Sequence, residues 1–293
     1  MTWKRVATAA VLIPIVILLD FEAPTGLLAI AVALVMLLAL REFFGLGDAI
    51  GHRAYRFWTA VCAILLAYVQ YLAALDARFT LNAGPVFHRV FGLFQLQTPG
   101  IADVFFVFLI GITILTLVTD RPAVEALPAA GLSCSALLLV ALPLTFAIRL
   151  QGVSLVGPYL LFFALLITWI GDTTAYFVGR AIGRHPFAPH LSPKKTWEGA
   201  VASFLGSILA ALLAKYLGKI NMPSLHIMGM AAACNVGGQA GDLLESAYKR
   251  SAGVKDSGAM LPGHGGILDR IDALILAFPV VWYYWVWIYS RRA

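Results

Sequence analysis

Acidic and basic side chains are concentrated in one segment of a chain that is otherwise almost uncharged. Residues 246–272 read SAYKRSAGVKDSGAMLPGHGGILDRID and lie between two long apolar stretches. Charged groups in such surroundings are unfavourable, so sequences place them mainly where water, a partner charge or a metal ion offsets the penalty. The segment is therefore the leading candidate for a site of chemistry.

The acids in and just before this segment share helix faces. Asp269 and Asp272 are three residues apart, and Asp242 precedes Glu245 and Ser246 by three and four residues. Convergent carboxylates suit Mg²⁺, which typically takes one or two protein carboxylates and completes its shell with substrate phosphates. The spacing indicates a magnesium site among these acids.

Basic side chains lie among the acids, at Lys249, Arg250, Lys255 and Arg270. Acids that hold a metal and bases that hold phosphate are the two halves of a phosphoryl-transfer site. The stretch 263–266, which reads GHGG, allows the backbone to turn tightly and approach a phosphate ahead of a helix N-terminus that favours anions.

Each of these elements also has a purely structural interpretation. Asp269, Arg270 and Asp272 also suit a structural ion-pair network at the start of a helix. His264 alone is more typical of a hydrogen-bonded loop residue than of a base or ligand. Asp172, within TWIGDTTAYFVGR, is either a paired buried acid or a functional one, because acids inside membrane segments are functional hypotheses by default.

The composition is that of an integral membrane protein. Hydrophobic residues make up 61% of the 293 residues, charged residues only 12%, against roughly 25% in soluble domains. The three cysteines lie in apolar runs without metal-binding spacing, so neither disulfides nor a zinc site is indicated. The first apolar run ends near Asp20 without a small-residue cleavage motif, so we expect it to remain as an anchor.

The apolar segments predict an all-α integral membrane protein with about nine transmembrane helices, since roughly 20 residues span the hydrocarbon core. The eighth segment is interrupted by polar and glycine residues over 235–242. The stretch 76–99 is compatible with a short extracytoplasmic excursion. The nine segments cover residues 6–19, 23–40, 57–75, 101–118, 123–148, 155–178, 196–217, 225–248 and 266–289.

The basic residues predict the orientation. With nine spans, two thirds of the 21 Lys and Arg residues fall on the side of the N-terminus, and basic residues favour the cytoplasmic side. This bias predicts a cytoplasmic N-terminus, an extracytoplasmic C-terminus and cytoplasmic loops around residues 184–195 and 249–265. We expect a functional division into N-terminal transmembrane helices, 1–150, and a catalytic transmembrane region, 151–293. The acids of the first part lie mostly at predicted helix ends, whereas the acids of the candidate site all lie in the second part.

Two segments together resemble the phosphatidate cytidylyltransferase family, also called CDP-diacylglycerol synthase. The first matches the pattern S-x-x-K-R-x4-K-D-x-G-x2-L-P-x-H-G-G-x2-D-R-x-D from Ser246 to Asp272, and the second is SPKKTWEG at 192–199. With GDTTAYFVGR the resemblance covers roughly residues 167–272. Thr174 stands where glycine is commoner in the family.

The resemblance implies transfer of the cytidylyl group of CTP to phosphatidic acid, giving CDP-diacylglycerol and pyrophosphate, with Mg²⁺ and in some members a monovalent cation such as K⁺. It also implies a multi-pass protein of the bacterial inner membrane, a homodimer, and an active site that faces the cytoplasm; nucleic acid is not an expected partner. Carried over by position, the metal ligands would be Asp242, Asp269 and Asp272. The other catalytic positions would be Lys249, Arg250, Lys255, His264 and Arg270, and the substrate-binding positions would be Ser192, Lys194, Lys195, Ser246, Gly265 and Gly266.

Two rival classes can be compared on sequence features. An ion-coupled secondary transporter would also place acids in mid-membrane, but it predicts an internal repeat and mid-membrane acids in both halves. This sequence shows no convincing repeat, and the acids of its first 150 residues lie mostly at predicted helix ends. A CDP-alcohol phosphatidyltransferase would carry a DGxxAR motif, which is absent as well.

Overall fold

The computed structural model describes residues 2–82, 99–217, 222–260 and 265–290. The chain forms two compact units, Met1–Pro158 and Tyr159–Ala293. His264 and most of the expected excursion at 76–99 lie outside the described residues. The division of function at about residue 150 stays a prediction.

The first unit consists of helices that begin after prolines or short polar turns. Pro24 precedes α2 and Pro122 precedes α5, since proline lacks the backbone donor that a helix interior requires. A π-helical turn, Leu137–Ala141, joins α5 to α6 into one apolar stretch of 30 residues. The helices are α1 (Thr2–Phe21), α2 (Thr25–Ala49), α3 (Arg56–Asn82), α4 (Ile101–Val118), α5 (Ala123–Ala136) and α6 (Leu142–Gly152).

The second unit contains four long helices and one small hairpin. Strands β1 and β2 pair antiparallel, with Pro186 opposite Thr196 and Ala188 opposite Ser192. The Thr196 side chain then caps the next helix by accepting a hydrogen bond from the Gly199 N–H at 3.2 Å. The elements are α7 (Gly157–Ile182), β1 (Pro186–Ala188), β2 (Ser192–Thr196), α8 (Trp197–Tyr216), α9 (Ser224–Ser251) and α10 (Leu268–Tyr283), which continues into a π-helical segment, Tyr284–Tyr289.

Helix α9 is continuous, although polar and glycine residues interrupt its apolar pattern at residues 235–242. Its 28 residues run unbroken from Ser224 to Ser251. A methyl group on Gly241 would lie 2.5 Å from the backbone oxygen of Asp272, so α9 and α10 touch backbone to backbone at this point. The small and polar residues therefore serve packing and side-chain hydrogen bonds rather than a break in the helix.

The helices confirm the all-α membrane class. Within the described ranges, seven are long and apolar enough to cross a membrane: Thr25–Ala49, Arg56–Asp76, Ile101–Val118, Ala123–Gly152, Gly157–Ile182, Trp197–Tyr216 and Leu268–Tyr289. Large apolar side chains such as Leu117 and Leu127 are about four-fifths exposed, as expected for surfaces that face lipid. The remaining two predicted spans correspond to α1, whose apolar part is short, and to the more polar α9.

Candidate active site

A cavity of about 650 Å³ lies within the second unit, between α7, the hairpin, α8 and α9. Two acids and three bases line it: Asp172 and Arg180 from α7, Lys194 and Lys195 from β2, and Asp242 from α9. Concave sites that combine apolar walls with a few convergent polar groups are the usual form of a ligand pocket. Acidic and basic side chains from three elements therefore line one cavity.

An ion pair joins the hairpin to α9 across this cavity. The Lys195 ammonium group contacts the Asp242 carboxylate, and each side chain is 29% exposed. A partly exposed pair of this kind is weakly stabilising, so its members remain available to other charges. A bound phosphate or cation would compete directly for Lys195 or Asp242.

The base of the hairpin is fixed by Glu198 in the first turn of α8. Its carboxylate lies 2.6 Å from the His185 ring Nδ1 and accepts a hydrogen bond from the His185 backbone N–H at 3.3 Å. The Phe187 and Trp197 rings pack edge to face, with centroids 4.6 Å apart. These contacts fix the position of β2, the strand that carries Lys194 and Lys195. The polar loop predicted between the sixth and seventh spans therefore contains this hairpin.

Three carboxylates from three helices lie close enough to repel one another. Asp172 and Asp272 each interact electrostatically with Asp242, while Lys195 and Arg270 attract Asp172. The backbone contact at Gly241 places the start of α10 directly beside α9. A bound cation would relieve the repulsion among these carboxylates. A metal site requires such a group of neighbouring acids.

A second group of contacts organises the loop that precedes α10. The Asp269 carboxylate accepts hydrogen bonds from the Lys249 ammonium at 2.6 Å, the Ser257 N–H at 3.0 Å and the Gly266 N–H at 2.8 Å. Gly265 has φ +80°, and a side chain there would lie 2.7 Å from the Asp269 carboxylate. Lys249 also pairs with the buried Glu245. We call the contacts of Asp269 the loop clamp.

A buried amide network supports α9 one to two turns before Asp242. The Asn235 side-chain amide donates to the Ser203 and Ser207 hydroxyls at 2.8 and 2.9 Å, and Gln239 donates to the Asn235 side-chain oxygen at 2.6 Å. Buried amides that are fully hydrogen-bonded fix the rotation of a helix, because a turned helix would leave them unpaired. The network therefore orients Asp242 toward the cavity.

The donor chemistry suits Mg²⁺ with few protein ligands. In the described part of the chain, no three His, Cys, Asp or Glu side chains gather as a ready metal cage. Mg²⁺ rarely needs one, since it usually binds one or two carboxylates together with phosphates and water. The facing acids Asp242 and Asp272 fit that requirement. Asp269 is already engaged by the loop clamp.

The remaining predicted site residues are spread over three places. Arg250 holds the hairpin turn and its own loop, donating to the Leu191 and Val254 backbone oxygens at 3.1 and 3.0 Å. Ser192 starts β2 and Ser246 is buried in α9. Lys255 and Arg270 have exposed side chains.

The cavity also has lining residues that sequence reasoning did not assign to the site. Arg180 donates to the Tyr176 hydroxyl at 2.9 Å, and both line the cavity together with Asp172 and Gln239. Asp172, Tyr176 and Arg180 follow one another at four-residue intervals, so their shared helix face was readable from the sequence.

The chain is similar in sequence to known cytidylyltransferases. The sequence model of the Cytidylyltransferase family matches residues 3–288, so the chain belongs to that family. A phosphatidate cytidylyltransferase of Staphylococcus aureus (strain COL) is 42% identical over 125 residues, which are 43% of this chain and 48% of the relative. Relatives of the same description from Staphylococcus epidermidis and Staphylococcus saprophyticus are 44% and 41% identical over 125 residues. The chain spans about half the length of the curated relatives that it matches.

Proposed function

We propose that the protein transfers the cytidylyl group of CTP to phosphatidic acid, forming CDP-diacylglycerol and pyrophosphate. The observation that carries this proposal is the cavity of the second unit, where Lys194, Lys195 and Arg180 lie opposite Asp242. Family membership and the named relatives support the same reaction. No observation on the described residues favours the transporter alternative.

In the proposed reaction an oxygen of the lipid phosphate attacks the α-phosphorus of CTP. A bond forms between them, and the bond from the α-phosphorus to the bridging oxygen breaks as pyrophosphate leaves. A phosphate monoester is already anionic near neutral pH, so no strong base is required. The protein instead has to offset repulsion between two polyanions and align them in line.

The basic residues divide between two parts of the site. We assign Lys194, Lys195 and Arg180 to phosphates in the cavity, because all three line it. Lys249 is engaged by Asp269 and Glu245, so it acts on the site by holding the Asp269 carboxylate, which also binds the Ser257 and Gly266 backbone N–H groups. Arg250 has a comparable positioning role at the hairpin turn.

Asp242 and Asp272 are the residues that would hold the Mg²⁺, which would neutralise charge on the phosphates. The loop clamp favours a positioning role for Asp269, whose assignment as a third ligand stays a prediction. Participation of a monovalent cation such as K⁺, and the roles of His264, Lys255, Ser192 and Ser246, likewise stay predictions.

We further propose nine spans, with α1 and α9 added to the seven long apolar helices, a cytoplasmic N-terminus and an active site at the cytoplasmic face of the inner membrane. The distribution of Lys and Arg supports this orientation.

A two-tailed lipid cannot leave the bilayer without exposing its acyl chains, at about 0.8 kcal/mol per CH2, so the site has to admit phosphatidic acid laterally. A homodimer is part of the same proposal. Reporter fusions at the two termini and cross-linking in membranes test these statements.

The reaction itself is tested with CTP labelled at either end of the triphosphate. Full-length protein in detergent receives phosphatidic acid, Mg²⁺ and CTP labelled in the α- or the γ-phosphate. We expect the α-label in lipid and the γ-label in pyrophosphate. Release of the γ-label as inorganic phosphate with no labelled lipid would contradict cytidylyl transfer.

A further inference from the structure

A second cavity, within the first unit, has a strongly positive lining. It measures about 700 Å³ and lies where α2 ends, α3 begins and α4 ends. Three arginines, Arg53, Arg56 and Arg121, line it, and none of its described lining residues is acidic. Apart from Gly111 and Thr119, the rest of the lining is aromatic or aliphatic. The proposed reaction makes no use of this cavity.

The Arg121 guanidinium is held in position by its neighbours. It donates to the Arg53 backbone oxygen at 2.5 Å and lies 4.8 Å from the centre of the Tyr55 ring. Tyr55 is buried, its N–H donating to the Ser133 hydroxyl at 2.8 Å and its hydroxyl to Thr116 at 3.1 Å. A guanidinium stacked on a fixed ring loses little further freedom when it binds an anion.

Arg56 stands between this cavity and a smaller one. It pairs with Asp48 and lies 6.0 Å from the centre of the Phe44 ring. The smaller cavity, of about 290 Å³, shares Arg56 and Phe57 with the larger and adds Arg41 and apolar residues of α2. Two apolar grooves, one on each side of the start of α3, thus meet at a group of arginines.

The walls of the larger groove are apolar and partly open. Trp58 is fixed by a hydrogen bond from its indole N–H to the Phe108 backbone oxygen at 3.1 Å. Ile114 and Leu115 of α4 form the opposite wall, and Ile114 is about half exposed. Phe57, beside Arg56, is 83% exposed, which is typical of an aromatic side chain at a membrane interface.

We propose that this site, which we call the arginine groove, binds an anionic phospholipid. The lipid phosphate lies among Arg53, Arg56 and Arg121, and the acyl chains follow the two grooves on either side of α3. Arginine matches phosphate oxygens in bidentate geometry, and basic pockets between membrane helices bind lipid headgroups. A free phosphate ion would satisfy the charges but leave both apolar grooves empty, so the lipid accounts for more of the site.

Native mass spectrometry of the full chain from detergent micelles tests this proposal. The probes are phosphatidylglycerol, which is anionic, and phosphatidylcholine, which is zwitterionic. We expect retention of phosphatidylglycerol in preference to phosphatidylcholine, and about a 30-fold weaker retention in the double variant R53Q/R121Q. The matched control R78Q/K215Q removes two positive charges at other positions. On α3, Arg78 lies about 33 Å from Arg56 at 1.5 Å per residue. The control should bind as the wild type does.

A second variant separates the groove from its charges. Ile114→Trp fills the larger groove at an exposed position and removes no charge, so we expect it to weaken phosphatidylglycerol retention as well. Equal retention by R53Q/R121Q and its control, or equal retention of the two lipids by the wild type, would overturn the proposal. So would displacement of the lipid by millimolar inorganic phosphate with no effect of Ile114→Trp, since that result identifies a site for free anions. None of these readouts depends on cytidylyl transfer.

Discussion

Replacing Gly241 with alanine tests the placement of the two proposed metal ligands. The added methyl group would lie 2.5 Å from the Asp272 backbone oxygen, whereas ordinary van der Waals contact begins near 3.4 Å. Because the obstacle is backbone, α9 and α10 have to separate by about 0.9 Å. Overpacking of this size destabilises proteins by roughly 1–3 kcal/mol. A displacement of about 1 Å at a catalytic constellation lowers rates by about 100-fold.

The matched control is Gly238→Ala, one turn earlier on the same helix. Its methyl group would lie 3.4 Å from the Thr168 Cγ2, which is ordinary contact. Initial rates of CDP-diacylglycerol formation at saturating CTP and phosphatidic acid, normalised to folded protein by size exclusion, compare the two. We expect Gly241→Ala to be about 100-fold slower and Gly238→Ala to stay within twofold of wild type. Equal rates in the two variants would refute the proposed juxtaposition of Asp242 and Asp272.

Three further predictions follow from the contacts of the second unit. Asp269→Asn weakens charge-assisted hydrogen bonds worth roughly 1.5–3 kcal/mol each, so hydrogen exchange of the Ser257 and Gly266 amides should accelerate at least 30-fold. The control Asp256→Asn should leave this exchange unchanged. Unaltered exchange in Asp269→Asn would contradict the loop clamp. Lys195→Met should lower kcat/KM for CTP about tenfold, with Lys195→Arg less affected, in steady-state kinetics; wild-type kinetics would exclude Lys195 from phosphate binding. Asn235→Ala should lower the free energy of unfolding by roughly 1–3 kcal/mol in denaturant titrations, because it leaves the buried hydrogen-bond partners of Asn235 unsatisfied. An unchanged unfolding midpoint would show that the amide network does not stabilise the fold.

The sequence predicted the parts of the fold that depend on long patterns. Apolar segments near 20 residues locate seven of the helices because the bilayer sets that length. The span that corresponds to α9 gave a weaker signal because Asn235, Gln239 and Asp242 interrupt its apolar pattern. Those polar groups are satisfied or paired by partners on α8 and β2, which no local pattern reveals.

The sequence predicted which residues form the site, but it did not predict which of them contact one another. Motif spacing led to Asp242, Lys195 and Asp269, which the structure places at the cavity or the loop clamp. Neither the pairing of Lys195 with Asp242 nor that of Lys249 with Asp269 follows from spacing, because each joins elements distant in sequence. Arg180 was missed although it shares a helix face with Asp172, since a single arginine near a helix end more often serves orientation in the membrane.

The most direct test of the proposed function is CDP-diacylglycerol formation by Asp242→Asn in Mg²⁺. Asparagine keeps the size of the side chain but removes the charge that faces Lys195 and Asp272. The exposed Asp120, in the first unit, provides the control Asp120→Asn. We predict robust synthesis by wild type and control, and a loss of at least 100-fold in folded Asp242→Asn. Synthesis at the wild-type rate in Asp242→Asn would contradict a catalytic site at this cavity.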